Sequence, residues 1–151
     1  MKTRTIDNKI LIPAIDKIIR EGHTVTLTVK GRSMNPAVSH GRDKALIVAV
    51  SEVKLGDALL AKVDDGRYVL HRLIRIDGER LTLKGDGNLR GVETCTRADV
   101  VGRVAAFIHP SGRRLRTDGM VWRIYSWVWM HTGYWFHRGV LGVYHRILKR
   151  T

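Results

Sequence analysis

The chain has 151 residues, about the length of one domain with a real core. At 44% hydrophobic and 27% charged residues it is not a disordered chain, and its single cysteine, Cys95, excludes an internal disulfide framework and a cysteine-rich zinc site. The net charge of +13 is uneven: residues 111–151 carry eight basic residues and one acidic residue, together with all four Trp, three of the four Tyr and one of the two Phe.

The first predicted element is an amphipathic helix over residues 6–21. Ile10, Ala14 and Ile18 with Leu11 and Ile15 form its apolar face, and Lys9, Asp16, Lys17 and Arg20 lie elsewhere. Pro13 lies in its first turn or breaks it, and Gly22 ends it. The next stretch predicts β structure. Thr24–Val29 alternates Thr with Val or Leu, Ala45–Val50 is a continuous apolar run, and Ala58–Val63 follows Gly56-Asp57. Tyr68–Ile76 follows the turn Asp64-Asp65-Gly66, which predicts a hairpin. Leu81–Leu83 and Val100–Ile108 complete the block. Short strands at this spacing predict a mainly β fold, a small twisted barrel or sandwich with an N-terminal helix and a C-terminal helical tail. Pro110-Ser111-Gly112 is the candidate boundary between a β domain (1–110) and a tail (111–151) with helices over roughly 119–131 and 134–149.

No segment reaches the roughly 20 apolar residues of a spanning helix. The longest tail run without Lys, Arg, Asp or Glu is Ile124–His137, 14 residues, and it contains two histidines. Lys9, Asp16 and Lys17 interrupt the apolar runs at the N-terminus, which excludes a signal peptide. These features predict a cytoplasmic protein. The basic, aromatic tail either packs on the β body or makes a peripheral contact with anionic membrane; it fits nucleic acid less well, because no base-reading module is present.

Three segments carry chemistry. Ser33, in Gly31-Arg32-Ser33-Met34-Asn35-Pro36, follows a strand where the chain must turn. It is either a helix N-cap or an exposed nucleophile beside backbone N–H donors. His71 lies in a predicted strand on one face with Val69 and Leu73, so it is either a satisfied core histidine or a general base. Asp86, in Lys84-Gly85-Asp86-Gly87-Asn88, makes an Asx-type turn or accepts a hydrogen bond from the second ring nitrogen of His71. The other histidines have no metal-ligand spacing, so neither a metal nor any other cofactor is expected.

In order, Gly-x-Ser-Met-x-Pro (31–36), Gly-Asp (56–57), His-Arg-Leu-Ile (71–74), Lys-Gly-Asp-x-Asn (84–88) and Val-Val-Gly-Arg (100–103) resemble the signal peptidase I and LexA-like serine peptidase superfamily, over residues 24–108. The resemblance implies a mostly β catalytic fold and peptide-bond hydrolysis by an exposed serine. His71 stands where many members carry a lysine, which is similar to the Ser-His branch of endoplasmic-reticulum, archaeal and sporulation-type signal peptidases. The resemblance therefore implies a serine endopeptidase with Ser33 as nucleophile, His71 as base and Asp86 as the first choice of acid. That branch has a second acid a few residues later, and Glu93 is the nearest here.

Gly31 stands where many relatives carry a hydroxyl residue that stabilises the oxyanion, a donor whose loss costs about 2.7–4 kcal/mol. A peptide or protein precursor is the implied substrate. The short polar helix ahead of the nucleophile, in place of a membrane anchor, argues against ordinary exported preproteins. The 23 residues before the first strand are too few for a helix-turn-helix domain like that of the repressor relatives. The alternatives are a weak or inactive peptidase-fold binding module, or a membrane-surface adaptor acting through residues 119–149.

Overall fold

The computed structural model of the chain describes residues 8–29, 34, 36, 38 and 42–149. Eight strands form one curled, half-barrel sheet. They are β1 (Val25–Thr28), β2 (Lys44–Val48), β3 (Ala58–Lys62), β4 (Tyr68–Asp77), β5 (Arg80–Lys84), β6 (Glu93–Thr96), β7 (Val100–Ile108) and β8 (Arg114–Arg116). Helix α1 (Asn8–Arg20) precedes them, and α2 (Met120–His131) and α3 (Tyr134–Lys149) follow. The sheet order is β1-β2-β7-β3-β4-β5-β6, with every ladder antiparallel. Register shifts at Leu46/Ile47, Leu60/Ala61 and Leu73/Arg75 accompany the curl, since each extra residue bends its strand and increases the local twist. The mainly β architecture expected from the sequence is the one observed.

Alternation sorts the strand side chains into two cores. Ala58 and Leu60 of β3 face one side with Ile47, Val104, Phe107 and the buried face of α1. Leu59 and Ala61 face the other, with Leu73, Leu81, Leu83 and Cys95. Strand β3 is thus apolar on both faces, which explains its unbroken Ala-Leu-Leu-Ala run.

Helix α1 corrects one expectation. Its buried residues are Ile12, Ile15 and Ile19, whereas Ile10 and Ile18 are exposed, so the packing face is rotated from the Ile10–Ala14–Ile18 stripe. Isoleucines occur all round this helix, and periodicity alone does not say which arc packs. The receiving surface does: a Cβ on Gly102 would lie 2.6 Å from Ile47 Cγ2 and 3.3 Å from Ile19 Cδ1, so the glycine in β7 lets Ile47 and Ile19 pack close against it. The helix continues through Pro13, its sixth residue, rather than breaking there.

The turn at Pro110–Gly112 joins β7 to β8, and β8 pairs with Ala106–Ile108 on the edge of β7 opposite β2. Helix α2 then lies on the sheet through Trp122, Ser126 and Trp129. The predicted tail helices match α2 and α3 closely. Among the described residues, no helix is long and apolar enough to cross a membrane.

Candidate active site

Ser33 lies outside the described residues, as do Gly31 and Arg32. The residues that bracket it are placed. Met34 and Val38 are buried in the core beside α1, and the Val38 N–H donates to Met34 O at 3.1 Å. Upstream, the Val29 N–H donates to Asp43 O at 2.9 Å, which ties the exit of β1 to the entry of β2.

His71 pairs with Leu59 in the β3–β4 ladder and is 5% exposed. Leu59 and Leu73 place its face against the second core. Among the described residues, its buried Nδ1 has no hydrogen-bond partner. Burial lowers the imidazole below its ordinary value of 6.5, Glu93 opposes that shift, Arg67 reinforces it, and Asp86 opposes it more weakly. A buried imidazole whose charged form is disfavoured is neutral at pH 7, the form that accepts a proton.

Asp86 does not make the expected bond to His71. Its carboxylate accepts from Arg72 Nε and Nη2, each at 2.7 Å, and from the Tyr125 hydroxyl at 2.9 Å. The reason is strand geometry. Adjacent residues of β4 point to opposite faces, and Asp86 follows Arg72 rather than His71. Arg72 is fully buried and also donates to Gly56 O and Ser126 Oγ. Its guanidinium carbon sits 4.4 Å from the Trp122 ring centroid and 5.1 Å from that of Tyr125. The Gly56-Asp57 pair belongs to the same support. Gly56, at φ +93°, donates its N–H to Leu73 O, and the Leu73 N–H donates to Asp57 O, both at 2.8 Å.

Glu93 is the acid on the His71 face. Directly paired antiparallel residues share a face, and the register runs Leu73↔Leu83↔Glu93, with His71 two residues before Leu73. Glu93 accepts from Arg67 Nη2 at 2.9 Å and has a side chain 24% exposed. Its charge acts on His71 more strongly than that of Asp86.

Tyr125, Ser126 and Trp122 were not singled out as site residues by the sequence. Their signal was the spacing Trp122–Tyr125–Ser126–Trp129, one face of a helix, which identifies a packed surface but not the arginine it covers. Beside this network, a cavity of about 220 Å³ is lined by Arg72, Asp86, Lys84, Trp129, Thr132 and His137. His137 stacks on Trp129, with ring centroids 4.1 Å apart, and burial lowers its pKa as well. No group of three or more His, Cys, Asp or Glu among the described residues forms a metal site.

The curled antiparallel sheet and the order of the sequence boxes agree with the family comparison. No curated protein matches the chain in sequence. Residues 2–105, from the N-terminus into β7, match the family model for S24-like peptidases, and the matched span includes Ser33, His71, Asp86 and Glu93. Over two thirds of its length, the chain thus belongs to the S24-like peptidase family.

Proposed function

We propose that this protein is a serine endopeptidase in which Ser33 and His71 form the catalytic pair and Glu93 orients the base. The observation that carries this reading is the His71 ring: a buried, neutral imidazole whose Nδ1 has no hydrogen-bond partner among the described residues, in a chain of the S24-like peptidase family. Core histidines ordinarily satisfy both ring nitrogens, because a buried polar atom left unpaired costs about 1–3 kcal/mol. A catalytic histidine instead keeps its nitrogens for the nucleophile and the acid.

In this mechanism Ser33 Oγ attacks the carbonyl carbon of the scissile peptide while His71 takes the hydroxyl proton. The tetrahedral intermediate collapses, the C–N bond breaks, and His71 returns that proton to the leaving amine. Water then attacks the acyl-enzyme, again with His71 as base, and releases the acid product and free Ser33. Backbone N–H groups hold the oxyanion, since Gly31 brings no hydroxyl. Glu93 supports imidazolium formation by its negative charge, consistent with the direction of its effect on His71. Arg72 and Asp86 position β4 without touching the substrate.

Mass-spectrometric profiling of a mixed peptide library tests this reading. Wild type is expected to generate new termini that Ser33→Ala and His71→Ala both fail to generate. Equal cleavage by wild type and Ser33→Ala would contradict it, and cleavage by none would leave the fold as a peptide-binding module.

A further inference from the structure

We propose that α2 and α3 dock this protein on the surface of an anionic lipid bilayer. Helix α2 packs on the sheet through Trp122, Ser126 and Trp129, yet its opposite side is also apolar. Val121, Ile124 and Trp127 are 70%, 59% and 62% exposed, and Met120 lies beside them. At 100° per residue these four occupy one arc that contains no Lys, Arg, Asp or Glu; exposed His131 lies within it, its ring stacked 4.7 Å from that of Trp127, and Arg123 lies at its margin. A helix packed on a domain in water ordinarily turns polar residues outward. This one has an apolar outer face, which is the signature of a surface covered by something else.

Helix α3 repeats the arrangement with charge added. Phe136 and Val143 are exposed, and Val140 completes their i, i+4, i+7 stripe. Arg138, His145, Arg146 and Lys149 lie on another side of the helix. Trp135 is 75% exposed, with the Arg138 guanidinium carbon 5.6 Å from its ring centroid. Residues 119–149 hold four Arg or Lys and no Asp or Glu.

Charge selects the occupant. A second copy of the chain would bring the same uncompensated cations against themselves. A nucleic acid would neutralise the cations and leave the apolar arc in water. An anionic bilayer satisfies both, with the aliphatic and Trp side chains at the acyl boundary and Arg and Lys among the headgroups. Helices α2 and α3 lie beyond the matched family span, so this surface is separate from the residues that define the peptidase fold. The inner face of α2 clamps Arg72, so a bilayer on the outer face lies roughly one helix diameter, about 10–12 Å, from that arginine.

Sedimentation of the full chain with vesicles tests the proposal, using phosphatidylcholine alone and phosphatidylcholine with an equal part of phosphatidylglycerol. Wild type is expected to bind the mixed vesicles, and to release them at about 1 M salt, where the Debye length falls to about 3 Å. The pair Ile124→Ser with Trp127→Ser, and separately the pair Phe136→Ser with Val143→Ser, should each weaken binding by about tenfold or more. Unchanged far-ultraviolet circular dichroism and thermal midpoints would show that these variants still fold. No binding of wild type, equal binding to both vesicle types, or full binding by both folded double variants would overturn the proposal. So would a dimer in light scattering, or oligonucleotide binding, that replaces vesicle binding.

Discussion

Arg72, one residue after His71 in β4, and Asp86 form a bidentate ion pair with both side chains 1% exposed. Taking one partner from a buried pair leaves the other charge unpaired in a low-dielectric site, which costs about 3–5 kcal/mol. Asp86→Ala should therefore lower the unfolding free energy read from urea denaturation by that much. Arg72→Met with Asp86→Leu should cost less than the two single changes added together. Additive losses would contradict the pairing.

Tyr125→Phe isolates the third ligand of the same carboxylate. It removes one hydrogen bond to Asp86 and keeps the ring beside Arg72. A bond to a charged acceptor is worth about 1.5–3 kcal/mol, and equilibrium unfolding should show a loss of that size. Burial beside Asp86 pushes the Tyr125 phenol well above its ordinary value, so the hydroxyl stays a donor across the neutral range.

His71 fixes the sign of a pH effect. Its folded pKa is below 6.5, so the unfolded chain binds the proton more readily. Stability is then complete above 6.5 and declines as pH falls from 6.5 toward the lowered folded value. His137 contributes in the same direction, so the measurement is a difference. Wild type minus His71→Gln should show stability falling with acidification in that window; no difference would contradict a buried, neutral His71.

The acid limb of the rate profile separates the two carboxylates. Glu93 raises the His71 pKa and Arg67 lowers it. In kcat/KM against pH, Glu93→Gln should move the limb to lower pH, and Arg67→Gln should move it to higher pH. A limb that moves with Asp86→Asn and not with Glu93→Gln would return Asp86 to the orienting role.

Gly102→Ala tests the close approach of β2 to β7 beneath α1. The added carbon meets Ile47 Cγ2 at 2.6 Å and the Val48 carbonyl oxygen at 2.7 Å, and the latter is backbone. Overpacking of this kind costs typically about 1–3 kcal/mol. Gly91→Ala, where a Cβ meets nothing within 4 Å, provides the control.

Much of this architecture was legible in the residues. The apolar run Val100–Ile108 and the turn Asp64-Asp65-Gly66 delimit β7 and the β3–β4 hairpin as observed. Strands β6 and β8 were not legible. Glu-Thr-Cys-Thr and Arg-Leu-Arg carry too few bulky apolar residues to signal a strand, and both form because a neighbouring edge offers them a ladder. The site shows the same division. The placement of His71 on an apolar face followed from alternation in β4. The partner of Asp86 did not, because a Gly-flanked loop can serve either face of the strand beside it. Arg72 draws further partners from 54 positions along the chain, a distance over which a sequence pattern carries no geometric information.

The most direct measurement is labelling of the intact protein with a fluorophosphonate, followed by peptide mapping of the modified residue. The account predicts a single adduct on Ser33, absent from Ser33→Ala and strongly slowed in His71→Ala. Labelling that persists in Ser33→Ala, or that proceeds equally well without the His71 imidazole, would contradict it.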